Sequence, residues 1–266
     1  MHLQPRSTVT LSLTIITKNE ADVIARCIQS VPLATEVIVV DSGSTDRTVE
    51  ICRELGARVV VTDDYPGNGP QKNRALDLAT GDWILSLDAD EWITPELMEE
   101  IRALMETSPA NVAGYRIRRL SSFCGRFMHH SGWWPDWIVR LSRRGQGRFN
   151  DELVHDRMVL NGEMGQTEGI ILHEAFVALD DLVTKMNRYS SDGARMLQRG
   201  GQSGSLTRAV LHGWWAFTRT YFLRAGFLDG REGFMVAVST AEVAYYKYAK
   251  LLLADRPRER GRLKHK

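Results

Sequence analysis

Asp88-Ala89-Asp90 follows the apolar run Trp83-Ile84-Leu85-Ser86-Leu87 and places two carboxylates one residue apart at the end of a β-like segment. In an extended chain, residues i and i+2 face the same side, so Asp88 and Asp90 can converge on one divalent cation and the phosphates that share it. An acidic strand end or turn gives the same spelling, so the motif gains meaning only from its surroundings. Those surroundings supply further polar groups in the same kind of place. Asp41 ends an apolar run at residues 36–41, and Thr17, Asn19 and Glu20 end or follow another at residues 11–17.

The elements that must position these groups alternate along the first hundred residues. Residues 11–17, 36–41, 58–62 and 83–87 read as strands. The second of them has the unbroken hydrophobicity of a parallel strand covered on both faces. Residues 21–31 have helical apolar spacing at Val23, Ile24, Cys27 and Ile28. The N-cap types Ser44, Thr45 and Asp46 precede a helix at 48–55 that stops at Gly56; residues 71–79 form a helix closed by Gly81, and Thr94-Pro95-Glu96 opens another. Repeated βα units imply an α/β fold with a parallel sheet and right-handed crossovers, in which ligands bind beyond the carboxyl ends of the strands. The candidate groups gather at those ends.

Composition sets outer bounds. The chain of 266 residues is 43% hydrophobic and 25% charged, which suits one large folded domain or one domain with an appendage. A formal net charge of +1 gives no general reason to expect nucleic acid as a partner. Cys27, Cys52 and Cys124 lie far apart without metal-ligand spacing and read as reduced thiols. The first seven residues lead into a strand rather than the apolar core of a signal peptide, so the catalytic part is expected in the cytoplasm.

Four segments occur in an order and spacing that resemble family 2 glycosyltransferases: Thr17-Lys18-Asn19-Glu20, residues 39–46 around Asp41, Gln71-Lys72-Asn73-Arg74-Ala75, and Leu87-Asp88-Ala89-Asp90-Glu91. The likeness covers roughly residues 10–175. Gly132-Trp133-Trp134-Pro135-Asp136-Trp137, Arg140-Leu141 and Val154-His155-Asp156 are similar to the lipopolysaccharide core glucosyltransferase branch. The resemblance implies a Rossmann-like, GT-A type nucleotide-diphospho-sugar transferase with a mainly parallel central sheet and C-terminal helices. It implies a catalytic domain at 1–178, with a nucleotide half at about 8–110 and an acceptor half at about 111–178, then a helical region at 179–266. The expected reaction is inverting transfer of a hexose, glucose from UDP-glucose, onto a heptose of the lipopolysaccharide inner core, assisted by Mg²⁺ or Mn²⁺; the alternative is transfer of another hexose to a different cell-envelope glycan.

Carried onto this chain, the resemblance gives Asp41 the nucleotide base, with Thr17, Asn19 and Glu20 lining the same pocket. Lys72 lies near the nucleotide or its diphosphate, where lysine keeps the charge of an arginine without its planar fork. Asp90 coordinates the metal, and Asp88 contacts sugar or ribose or joins the metal. His173, presented after an apolar run, is a further candidate ligand, and its imidazole suits Mn²⁺ better than Mg²⁺. The acceptor hydroxyl needs a base, for which Asp156 is favoured and Asp151, Glu152 and Asp136 stay open. His155 can orient that base or bind the acceptor, alongside Asp136. Trp133 and Trp134 offer flat surface for a sugar face or, alternatively, seal a core.

The C-terminal third differs in character. Residues 180–198 read as a helix, 200–205 as a flexible break, and 206–228 and 234–253 as two aromatic helices bordered by Arg and Lys. Neither has the long uncharged run of a membrane span, and both suit a membrane interface or a packed hairpin. With the basic residues near the end of the sequence, they predict peripheral attachment to the cytoplasmic face of the inner membrane and a glycolipid acceptor there. A binding scaffold without turnover would need no acceptor-side acid. A haloacid-dehalogenase-type phosphatase would carry its nucleophilic Asp on the first strand, a nucleotidyltransferase a glycine-rich basic loop after it, and a dehydrogenase Gly-x-Gly-x-x-Gly; Thr17-Lys18-Asn19-Glu20 fits none of them.

Overall fold

The computed structural model describes residues 9–151 and 156–254. Its strands are β1 (Leu11–Thr17), β2 (Glu36–Asp41), β3 (Arg58–Val61), β4 (Trp83–Asp88), β5 (Glu91–Ile93), β6 (Val112–Phe123), β7 (Arg126–Phe127), β8 (Asp136–Arg143), β9 (Gly147–Phe149), β10 (Met158–Leu160) and β11 (Glu163–Phe176). Its α-helices are α1 (Ile24–Gln29), α2 (Thr48–Glu54), α3 (Asn68–Leu78), α4 (Pro95–Thr107), α5 (Leu179–Arg199), α6 (Leu206–Thr218) and α7 (Gly230–Ala254). The chain divides into two compact units, one of residues 1–121 and 135–174, the other of 122–134 and 175–266.

In the first unit the strands follow the order β3-β2-β1-β4-β8-β6-β11-β5. The α/β class read from the sequence is present, and β3, β2, β1 and β4 form its parallel part. Strand β8 then runs antiparallel to both β4 and β6. Leu11, Leu13, Ile15, Val39, Trp83, Leu85 and Leu87 are almost wholly buried, as strands with helices on both faces require. Register fixes the rim: Thr17 is paired with Asp41, and Ile16 with Asp88. Adjacent strands lie roughly 4.8 Å apart, so Asp41 and Asp88 stand about 10 Å apart at the carboxyl ends of β2 and β4, flanking β1.

Helix starts follow local chemistry. Thr94 caps α4 by accepting the Leu97 amide at 3.3 Å, with Pro95 in the first turn. Before α2, Asp46 Oδ1 accepts the Thr48 amide at 3.0 Å, one residue ahead of the Arg47 cap position.

In the second unit, α5, α6 and α7 pack around Ala194, Ala209, Tyr248 and Leu251. A further core joins Phe123, Met128 and Val236 to Trp133 and Phe176. The continuous helix expected over 206–228 is interrupted. After α6 the backbone widens into a π-turn at Arg219–Leu223, passes through Ala225 at φ 53°, and makes a 3-10 turn at Gly226–Asp229. Two glycines explain the reversal. A Cβ on Gly233 would lie 1.9 Å from the Gly226 carbonyl oxygen, and one on Gly226 would lie 2.8 Å from that of Thr220.

Candidate active site

Helix α3 organises the site, because the sequence Gln71-Lys72-Asn73-Arg74 sends each side chain to a different element. Gln71 Nε2 donates to Ser42 Oγ at 3.0 Å and to Thr62 Oγ1 at 2.8 Å, tying α3 to the ends of β2 and β3. Asn73 exchanges two 2.9 Å bonds with the backbone of Phe149 in β9. Arg74 forks onto Asp64. Lys72, only 3% exposed, lies between two carboxylates, with Nζ 2.8 Å from Asp88 Oδ1 and 2.8 Å from Asp156 Oδ2.

From Lys72 a chain of charges crosses the sheet. Arg140 reaches Asp88 at 2.6 Å and Glu91 at 2.9 Å; Arg119 reaches Glu91 at 2.8 Å and Asp136 at 2.7 Å. Glu91 is fully buried, and its second oxygen accepts the Asp88 amide at 3.0 Å. Burial favours the neutral acid at Asp88, yet the Arg140 and Lys72 cations hold its carboxyl well below the ordinary carboxylate range. Glu91 is likewise held low against burial, chiefly by Arg140. Both therefore stay ionised, and Lys72, Asp88, Asp136 and Asp156 face one cavity of about 520 Å³.

The nucleotide-side candidates form a second cluster. Asp41 is fully buried; its Oδ1 accepts the Gly43 and Ser44 amides at 3.0 and 2.9 Å, and its Oδ2 accepts the Ser44 hydroxyl. Asn19, at φ 57°, accepts the Thr45 amide at 2.8 Å and donates its own amide to Ser44 Oγ at 2.8 Å. The Glu20 amide donates to Thr48 Oγ1 at 2.8 Å. These bonds latch the loop after β1 to the loop after β2. Beside them, Thr17 Oγ1 is buried without a hydrogen-bond partner.

Asp90 and His173 meet directly, Oδ2 to Nε2, at 3.4 Å. Ser121 Oγ lies 2.8 Å from His173 Nδ1, so an Nδ1-H that donates to Ser121 leaves the Nε2 lone pair toward Asp90. Two such donors, about one coordination edge apart, fit a divalent ion that takes its remaining ligands from phosphate and water. Asp88 fits less well as a direct ligand, because its two oxygens already face Lys72 and Arg140. Among the described residues no group of three or more His, Cys, Asp or Glu side chains is arranged to hold a metal by itself.

The remaining candidates are dispersed. Asp151 lines a different groove, beside Asn73 and Arg148. Trp133 and Trp134 belong to the second unit, where Trp133 packs 6.2 Å from Phe123 and 5.9 Å from Phe176. Glu152 and His155 lie outside the described residues. Sequence reasoning missed Arg119, and noticed Glu91 and Arg140 only within family-like segments. Glu91 adjoins the Asp-x-Asp motif, and Arg119 is one of three arginines in β6, so nothing local set it apart.

Residues 12–160 match the family described as glycosyl transferase family 2. An uncharacterized glycosyltransferase of Rickettsia typhi is 34% identical over 252 residues, covering 91% of this chain and 86% of that protein. The lipopolysaccharide core biosynthesis glycosyltransferase LpsC of Rhizobium meliloti is 29% identical over 252 residues, covering 91% of each. Glucosyl-3-phosphoglycerate synthase of Mycobacterium tuberculosis, solved with Mn²⁺, UDP and phosphoglyceric acid, is 26% identical over 42% of this chain and 43% of that one, with a TM-score of 0.36. The extent of the family match and the near full-length identity to the Rickettsia protein establish that this chain belongs to glycosyl transferase family 2 and is a glycosyltransferase.

Proposed function

We propose that the chain transfers glucose from UDP-glucose onto a heptose of the lipopolysaccharide inner core, by a single displacement that inverts the anomeric centre. The observation that carries this reading is Lys72, whose ammonium sits 2.8 Å from both Asp88 and Asp156 inside one cavity. A cation at that point can serve the departing diphosphate on one side while a carboxylate on the other receives a proton. The similarity to LpsC, named for lipopolysaccharide core biosynthesis, supports the acceptor class.

Each residue has a part. Asp41, with Thr17, Asn19 and Glu20, shapes the pocket for the nucleotide. Asp88 orients the donor sugar or ribose, and Lys72 neutralises the diphosphate. Asp90 and His173, with Asp88 beside them, would hold Mg²⁺ or Mn²⁺, which when bound supplies positive charge to the leaving group. Asp156 accepts the hydroxyl proton, and Asp136, which faces the same cavity, is the other acid there. Asp136 and His155 contact the acceptor. The catalytic domain spans about 1–178, and the helical region 179–266 places the enzyme peripherally on the cytoplasmic face of the inner membrane, where a glycolipid acceptor lies.

The test is calorimetric titration of the purified chain with UDP-glucose and other nucleotide-sugars in the presence of Mn²⁺ or Mg²⁺, followed by transfer to a truncated core oligosaccharide. Saturable UDP-glucose binding and a hexosylated product are expected. Binding of a different nucleotide-sugar alone would replace the donor, and product linkage by mass and nuclear magnetic resonance would fix the acceptor.

A further inference from the structure

Helices α6 and α7 run antiparallel in the second unit, as close approaches of Gly204 to Leu252, Gly213 to Ala241 and Gly226 to Gly233 show. The turn between them should be polar, because loops face water. It is not. Phe222 is 57% exposed, Leu223 66%, Phe227 50% and Leu228 54%, and Leu211 and Trp214 continue the apolar surface along α6 at 59% and 65%. Exposed apolar side chains gathered on one hairpin mark an interaction site.

The exposed charges on α6 and the turn that follows it are arginines. Arg208, Arg219 and Arg224 are exposed and make no salt bridge among the described residues. The neighbouring acids are withdrawn: Asp229, 2% exposed, accepts the His129 and His130 amides and the Ser131 hydroxyl, and Glu232, 7% exposed, pairs with Arg231. Glu242 lies farther along α7, in the groove lined by Trp214 and Tyr245. No helix among the described residues is long and apolar enough to cross a membrane. Aromatic and aliphatic side chains ringed by unpaired arginines suit a surface that is apolar below and anionic above.

We propose that this hairpin docks on an anionic phospholipid bilayer, with the turn at residues 219–229 seated at the boundary between headgroups and acyl chains and Arg208, Arg219 and Arg224 on the lipid phosphates. The inference deepens the membrane reading given above and rests on it. Its specific content is that apolar insertion at one turn and arginine contacts act together, so binding depends on both lipid charge and the turn.

Flotation of the full chain with vesicles tests this without any turnover. Vesicles of phosphatidylcholine with phosphatidylglycerol should carry the protein, phosphatidylcholine alone should carry much less, and added salt should weaken the first. The double substitution Phe222→Ser, Leu223→Ser should weaken partitioning about tenfold or more, because two half-exposed apolar side chains lose their burial in lipid. Arg219→Gln with Arg224→Gln should abolish the preference for phosphatidylglycerol, whereas Val159→Ser, an exposed apolar position in the first unit, should change nothing. Circular dichroism establishes that each variant is folded. Equal flotation of the Phe222, Leu223 variant, indifference to lipid charge, or a dimer in sedimentation that the same variant dissolves would overturn the proposal. Each of those results leaves UDP-glucose binding by the first unit to be decided separately.

Discussion

Lys72 is a buried ammonium with a carboxylate on either side, and removing it would leave Asp88 and Asp156 as like charges with nothing between them. Lys72→Met is expected to cost about 2–4 kcal/mol in urea unfolding and to abolish donor binding, while Lys72→Arg keeps most of the stability. Asp156→Asn separates the two jobs: donor affinity should persist and turnover should fall about 10²–10⁴-fold. Unchanged turnover in that variant would move the base to another acid. Glu91 offers a test by pH. Its folded carboxyl is held below the unfolded value, so it contributes stability above the unfolded pKa and loses it as pH falls through the folded one. The deficit of Glu91→Gln, measured by urea unfolding, should therefore be full near pH 7 and smaller near about pH 3. Sequence alone marked Asp88, Lys72 and Asp156 as separate candidates. That they share one ammonium depends on a contact across 84 residues, which no local pattern contains.

At the scale of elements, local patterns were most informative where both faces of a strand are buried. Residues 36–41 and 83–87 were legible as the strands now labelled β2 and β4 because apolar runs of that length have few other fates. Helix α3 begins earlier than its sequence indicates, at Asn68, because Gly69 and Pro70 look like a turn in isolation. Gly69 is there for space: a Cβ would stand 2.0 Å from the Asn150 carbonyl oxygen and 3.8 Å from Asp156 Cβ. Gly69→Ala must therefore push the 149–151 segment away from α3. It is expected to lower stability by about 1–3 kcal/mol and to lower turnover more than donor affinity, as urea unfolding and a comparison of donor Kd with kcat would show. The break after α6 was illegible for the opposite reason. Residues 206–228 have good helical composition, and only the tertiary crowding of Gly226 against Gly233 reverses them.

Across the whole molecule, the division into units does not follow the order of the sequence. Residues 122–134 join the C-terminal helices, and Phe123 and Met128 pack with Val236. Removing residues 206–266 as a test of membrane attachment would therefore uncover that core and take Asp229 from the 129–131 segment, so released protein would report unfolding as readily as lost lipid contact. A single substitution separates these effects. Asp229 is the buried acceptor for the amides of His129 and His130, the His130 ring and the Ser131 hydroxyl. Asp229→Ala leaves those donors without their partner, at a cost of about 2–4 kcal/mol. Hydrogen exchange should then rise in residues 122–134 and 206–254, while protection of β1, β2 and β4 and binding of UDP-glucose stay as they are. Faster exchange in those three strands would mean that the two units unfold as one, and the donor pocket would then depend on the helical region for its stability.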